Sequence, residues 1–376
     1  MRLEKKKLLF TAMLLSFVVK LMACQASEIV FPSPQTEVTA DISTDANSPD
    51  VQSNATALPE EISEQQPLAT LNAFSSGTEE RSIPSPRQFH TMAYDSNRKV
   101  VVMFGGRDKH NSYLNDMWEF DGQNWHYINT DVSPTPRGNS AMVFDPNNDL
   151  ILLYGGGDEN WSYDTWIYDA TRNWRVLSGI GAPNVFNPSL IYDLEQKRIL
   201  LFGQARTGDY ETWQFTEGFW QQLDVQIPFP QDIRGMLFAD YSMIYDAERQ
   251  RIILQTALDR TYELINENWQ LVLSKDSGDG YLPGAFGPTV YDFRQGLSVF
   301  FGITSPNEPL EMEMWNYSNG IWGEVNLTNY PPVRTNHAMV YDESRGVVVL
   351  FGGYEMDKNL VLNDTWEYDG ATWLQR

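Results

Sequence analysis

From Pro86 to Arg376, continuous apolar runs alternate with short polar turns, and the alternation returns about every 50 residues. The copy from His337 to Arg376 is the clearest. Ala338-Met339-Val340-Tyr341 reads as a strand, and Asp342-Glu343-Ser344-Arg345-Gly346 as a polar hairpin turn. Val347–Phe351 is apolar throughout, as expected of a strand covered on both faces. Gly352-Gly353 follows, where the backbone is free to take conformations closed to residues with a Cβ. Thr365–Tyr368 alternates like a half-buried strand, Asp369-Gly370 is a hairpin signal, and Thr372-Trp373-Leu374 starts a fourth strand.

The same grammar occurs six times. An aromatic-Asp pair recurs at Tyr94-Asp95, Phe144-Asp145, Tyr192-Asp193, Tyr245-Asp246, Tyr291-Asp292 and Tyr341-Asp342. Two aromatic columns follow in each unit: Trp118, Trp166, Trp213, Tyr262, Trp315 and Trp366, then Trp125, Trp174, Trp220, Trp269, Trp322 and Trp373. Four short strands per repeat predict an all-β, six-bladed β-propeller of four-stranded antiparallel blades. No blade can bury its faces alone, so the indoles are expected to wedge between neighbours. The runs closing in Phe104-Gly105-Gly106, Tyr154-Gly155-Gly156 and Phe351-Gly352-Gly353, with their spaced aromatics, resemble the kelch repeat. The resemblance covers Pro84 to Arg376 and thins in the fourth unit, where Leu254-Gln255-Thr256 replaces the Gly-Gly. It implies a disc whose first strands line a central channel. Ring closure is open in the sequence: blades one and six meet by side-chain packing alone, or Leu68–Phe74 returns to add a strand, or the natural chain is truncated.

The front of the chain has a different character. Residues 1–24 combine a basic start (Arg2, Lys5, Lys6, Lys7) with an apolar stretch too short to span a bilayer as a helix. They end in Leu21-Met22-Ala23-Cys24, which resembles a bacterial lipobox and implies lipidation of Cys24, the chain's sole cysteine. The alternative is ordinary signal cleavage after Ala26, giving a secreted protein. Residues 25–80 hold ten acidic residues and no Lys or Arg, a composition expected to stay disordered. The domains expected are therefore a signal segment (1–24), an acidic linker (25–80) and the propeller (81–376). The expected location is the cell envelope, lipid-anchored and extracytoplasmic, with the chain a monomer held to the membrane through Cys24. Of the net charge of −23, the leader carries +4 and the linker −10, leaving −17 on the propeller. That balance argues against nucleic acid, whose phosphates require Lys and Arg.

Spacing directs attention to one face. The intervals that contain the hairpins are nearly constant between units, whereas the loops on the opposite face vary in length, and variable loops on a rigid scaffold carry binding. Candidate ligand-binding residues there are Trp161, which stands outside both aromatic columns, and Arg87, Arg137, Arg234 and Arg334 at the starts of first strands. His90 and His337 follow two of these arginines by three residues. Such arginines are suited to gripping a carboxylate bidentately. Asp276–Gly280 faintly suggests a calcium loop but lacks its terminal Glu. No nucleophile elbow, phosphate loop or zinc-ligand cluster is present, and no cofactor or metal is expected. The reading is a surface-anchored binding module for an extracellular protein or glycan. The alternative is an extracytoplasmic carbohydrate-active enzyme, for example a sialic-acid epimerase or a lyase-like activity, requiring Arg with Glu or His to converge at one mouth.

Overall fold

The computed structural model describes residues 83–158, 160–177, 181–225, 241–256, 260–274, 283, 287–303 and 311–376. The leader, the linker, Arg234 and Asp276–Gly280 lie outside them. The described residues form six antiparallel four-stranded blades. Blade 1 comprises a short accessory strand β1 (Arg87–Gln88) and then β2 (Thr91–Asp95), β3 (Val100–Asp108), β4 (Tyr113–Phe120) and β5 (Trp125–Ile128). Blade 2 is β6 (Ala141–Asp145), β7 (Leu150–Tyr154), β8 (Thr165–Asp169) and β9 (Trp174–Leu177). Blade 3 is β10 (Val185–Asp193), β11 (Arg198–Ala205), β12 (Tyr210–Thr216) and β13 (Phe219–Gln222). Blade 4 is β14 (Tyr241–Asp246), β15 (Arg251–Thr256), β16 (Arg260–Ile265) and β17 (Asn268–Ser274). Blade 5 is β18 (Thr289–Asp292), β19 (Leu297–Gly302), β20 (Glu313–Ser318) and β21 (Ile321–Glu324). Blade 6 is β22 (Ala338–Asp342), β23 (Val347–Glu355), β24 (Leu360–Tyr368) and β25 (Trp373–Gln375).

The inner strands β2, β6, β10, β14, β18 and β22 each pack on the next, and β22 packs on β2, so the ring closes. Among the described residues each blade is built from its own consecutive strands, and side chains and loops join blades 6 and 1; Leu68–Phe74 lies outside the described residues. Trp125 donates its indole N–H to Thr365 Oγ1 at 2.9 Å, Phe89 N–H to Asn336 O at 3.0 Å, and Ser344 N–H to the Tyr94 hydroxyl at 3.2 Å.

The two aromatic columns have different roles. In the first, Trp118, Trp166, Trp213, Trp315 and Trp366 donate to the carboxylate two residues earlier: Asp116, Asp164, Glu211, Glu313 and Asp364. The second column joins blades. Trp125 packs on Phe351, Trp174 on Phe104, Trp220 on Tyr154, Trp269 on Phe202 and Trp373 on Phe301, with ring centroids 4.9–5.9 Å apart. In each of these pairs the partner belongs to the preceding blade. Four second-column indoles also reach a threonine there, Trp220 to Thr165, Trp269 to Thr212, Trp322 to Thr261 and Trp125 to Thr365, all at 2.9 Å. Trp174 and Trp373 have no partner for the indole N–H. At the register position that holds threonine elsewhere, opposite Phe104 and Phe301, the preceding blades carry Met117 and Met314. A buried indole removes roughly 150–250 Å² from water, an upper bound of about 4–6 kcal/mol.

The aromatic-Asp marker is a second fastener. Asp145 Oδ1 accepts from the amides of Asn147 and Asn148 in its own turn, Asp193 and Asp292 do the same in theirs, and Asp342 accepts from the Arg345 N–H and the Ser344 hydroxyl. The tyrosine hydroxyl reaches the preceding blade's turn: Tyr291 accepts from Glu248 N–H, Tyr341 from Arg294 N–H and Tyr94 from Ser344 N–H.

The structure departs from the sequence reading at the double glycine. Strands β3 and β23 do not end there; they pass through with a bulge in register and continue to Asp108 and Glu355. Gly352 takes φ +60°, and a Cβ on it would lie 2.7 Å from the Arg87 carbonyl oxygen of the next blade. Gly105 stands in the same relation to Arg137 O, also at 2.7 Å. The glycines thus serve close contact between blades as well as a positive φ.

Candidate functional site

The loops joining second to third strands, and each blade to the next, lie on the face opposite the hairpins, where binding was expected. Arg87, Arg137 and Arg334 approach this face but do not open onto it; each is at most 1% exposed. Arg87 Nη1 and Nη2 donate to the two Asp116 oxygens at 2.7 Å each, and Nη1 also to Gly105 O at 3.0 Å. Arg137 repeats this with Asp164 and Gly155 O, and Arg334 with Asp364 and Gly352 O. The bidentate grip expected for a ligand is made on the blade's own aspartate. The backbone of Arg137 meanwhile bonds to blade 1, donating to Leu114 O at 3.0 Å and accepting from Gly106 N–H at 2.8 Å. These arginines are staples, and the expectation that they gather round a ligand is corrected accordingly. Burial works to raise the Asp164 and Asp364 carboxyls, but the arginine hydrogen bonds prevail and hold both below the usual range.

His90 and His337 are likewise interior, 6% exposed, packed edge-on against Phe351 and Phe301 of the preceding blades. Burial, reinforced by Arg87 and Arg334 respectively, lowers each to about 3. Both imidazoles are therefore neutral packing groups at ordinary pH.

The loop face presents a different set, which the sequence reading largely missed. In the three stapled blades the residue two after the arginine takes a left-handed backbone: Phe89 at φ 60°, Asn139 at 55° and Asn336 at 56°. Asparagine tolerates this conformation, whereas a bulky aromatic is strained there by about 1–3 kcal/mol. The Phe89 ring carries the Arg107 guanidinium, whose Cζ lies 5.2 Å from the ring centroid. Among the described residues Arg107 has no carboxylate partner, and its Nε is buried without an acceptor. From Phe89 a line of contacts crosses to blade 3. The Phe89 Cβ abuts Gly138, which pairs with Gly157, which pairs with Trp161. Trp161, half-buried, sets its ring 5.3 Å from Phe186, and Tyr163 contacts Phe186 at 5.6 Å. Arg206, exposed, lies over Tyr163 at 5.6 Å. Of the residues singled out from sequence, only Trp161 belongs to this line. The sequence did contain a signal: Phe89 stands where the other stapled units have asparagine, and Arg107 follows a Gly-Gly directly.

On the hairpin face the inner strands enclose a channel cavity of about 280 Å³ with a mainly apolar lining, including Met92, Met142, Met243 and Met339. Leu194 and Phe293 stand exposed at its rim. Among the described residues no group of His, Cys, Asp and Glu is arranged to hold a metal, and no helix is long and apolar enough to cross a membrane.

Residues 69–239 match the model of the KLHDC2/KLHL20/DRC7 Kelch-repeats domain, and the six-bladed ring together with that match supports a kelch propeller. No curated protein matches the chain. Among solved structures, that of YjhT is similar with a TM-score of 0.54 and 12% identity, over 79% of this chain and 99% of that one. At that identity the likeness bears on fold alone.

Proposed function

We propose that this propeller is a binding module that recognises an extracellular protein or glycan through its loop face, displayed outside the cytoplasm on a lipid-anchored Cys24 and an acidic linker. The observation that carries the reading is the line from Arg107 and Phe89 to Trp161. It combines an unneutralised cation, a strained aromatic and a half-exposed indole on the face whose loops differ most between blades. Strained backbone concentrates at functional sites because the surrounding fold must hold it in place. Aromatic and arginine side chains dominate the energetics of recognition surfaces. The enzyme reading has less support, since the arginines and histidines it required at one mouth are engaged inside the blades.

The test is a glycan and protein array probed with the non-lipidated Cys24→Ser chain and with its Trp161→Ala variant. The expected result is a defined set of hits, each weakened about tenfold or more by losing the indole. Hits untouched by Trp161→Ala would place binding elsewhere. Anchoring is tested separately: a radiolabelled fatty acid should mark the wild-type protein in a bacterial host and not Cys24→Ser.

A further inference from the structure

We infer that the ligand of the loop face carries a carboxylate on a sugar ring, and that Arg107 receives it. The inference rests on the loop-face reading above and adds the chemistry of the ligand.

The argument begins with the partners of the arginines. Arg87, Arg98, Arg137, Arg198, Arg249, Arg334 and Arg345 are buried or half-buried, and each is bonded to one or two carboxylates. Arg107 is half-buried, yet among the described residues no acidic group meets it. In a chain with 50 acidic and 27 basic residues, a carboxylate was abundantly available to pair with it. Its guanidinium instead lies over Phe89, with Cζ 5.2 Å from the ring centroid, and Phe89 is held at φ 60° where the matching units have asparagine. A planar guanidinium resting over a ring presents its fork to a bidentate carboxylate. Arg206, at the far end of the aromatic line, also lies over a ring and among the described residues has no carboxylate partner.

The remaining groups favour a saccharide. The half-exposed Trp161 ring offers a surface for the C–H face of a pyranose, and the exposed Asn139 amide offers a donor and an acceptor for hydroxyls. Among the described residues the edge strand on this face is β1, only two residues long, and the edges β5, β9, β13, β17, β21 and β25 lie on the outer rim. An extended peptide binding by strand addition would need a longer edge here. A net charge of −17 on residues 81–376 opposes a dense polyanion, so one carboxylate in an otherwise neutral saccharide fits best.

The experiment titrates the non-lipidated full chain with uronic-acid-bearing oligosaccharides and with their carboxyl-reduced counterparts, for wild type, Arg107→Gln and Trp161→Ala. Wild type is expected to bind the acid form at least tenfold more tightly than the reduced form. Arg107→Gln should abolish that preference while leaving its thermal midpoint unchanged, and Trp161→Ala should weaken both forms. Equal binding of acid and reduced saccharides by wild type would overturn the carboxylate assignment and leave the loop-face reading standing. Preference for the acid form that survives Arg107→Gln would overturn the role of Arg107. Array hits sensitive to Trp161→Ala that are all peptides or uncharged glycans would also overturn this inference. Loss of the loop-face reading itself would appear separately, as hits indifferent to Trp161→Ala.

Discussion

An indole that finds a threonine across a blade boundary differs from one that does not by a single side chain. Thr212 and Thr261 accept from Trp269 and Trp322, while Met117 and Met314 fill the same register position with bulk and leave Trp174 and Trp373 unsatisfied. Replacing Thr212 by the near-isosteric valine should strand the Trp269 N–H and lower stability by about 1–3 kcal/mol in urea unfolding. No change would mean that the bond contributes nothing. The buried histidines make a second prediction at this scale. His90 and His337 stay neutral in the folded protein down to about pH 3, whereas an unfolded histidine takes its proton near 6.5. The unfolded state therefore binds more protons in that interval, and stability falls as pH drops below 6.5. The slope approaches about 1.4 kcal/mol per pH unit for each histidine. The depressed carboxyls of Asp164 and Asp364 act in the same direction, at lower pH. Denaturation midpoints measured from pH 6.5 to 4.5 should fall steadily, and the double variant His90→Gln/His337→Gln should flatten that slope. A wild-type midpoint constant across the interval would contradict the burial of both rings.

At the scale of the element, the sequence was most legible where chemistry repeats. The aromatic-Asp pair foretold each first strand and turn, because the aspartate caps its own turn whatever surrounds it. The second tryptophan column foretold stacking between blades, whereas the first donates to the carboxylate two residues earlier. The extension of β3 and β23 beyond the Gly-Gly was not legible, since the cause is a neighbouring blade's carbonyl pressed against Gly105 and Gly352. The role of Arg87, Arg137 and Arg334 was misjudged similarly: their type and spacing suit a ligand carboxylate as well as Asp116, Asp164 and Asp364, and only geometry separates the two. Phe89 and Arg107 were missed because their mark in the sequence is slight, one aromatic where the matching units carry asparagine, and its left-handed backbone shows only in three dimensions. Gly105→Ala combines a positive φ with a Cβ 2.7 Å from Arg137 O and should cost more than about 1 kcal/mol. Gly323→Ala, on the outer strand β21 with nothing within 4 Å of its β position, should stay within about 0.5 kcal/mol of wild type. Equal losses in the two variants would refute the account of the double glycine.

For the whole molecule, closure is the distinctive matter. Blades 6 and 1 share the fasteners used elsewhere in the ring: an indole to a threonine, a tyrosine hydroxyl to a turn, a glycine against an arginine carbonyl. The seam is thus chemically one more blade boundary, and Thr365→Val should destabilise about as much as Thr212→Val. A much larger loss at Thr365 would mark the seam as the ring's weak point.

The central claim is a division of labour among arginines, with Arg334 and its equivalents holding blades and Arg107 facing a ligand. Thermal midpoints of Arg334→Met and Arg107→Met, measured side by side, test it most directly. Breaking the Arg334–Asp364 pair should remove on the order of 3 kcal/mol, a fall of roughly 6–12 °C, while Arg107→Met should remain close to wild type. A stable Arg334→Met, or an Arg107→Met that unfolds just as early, would contradict the account.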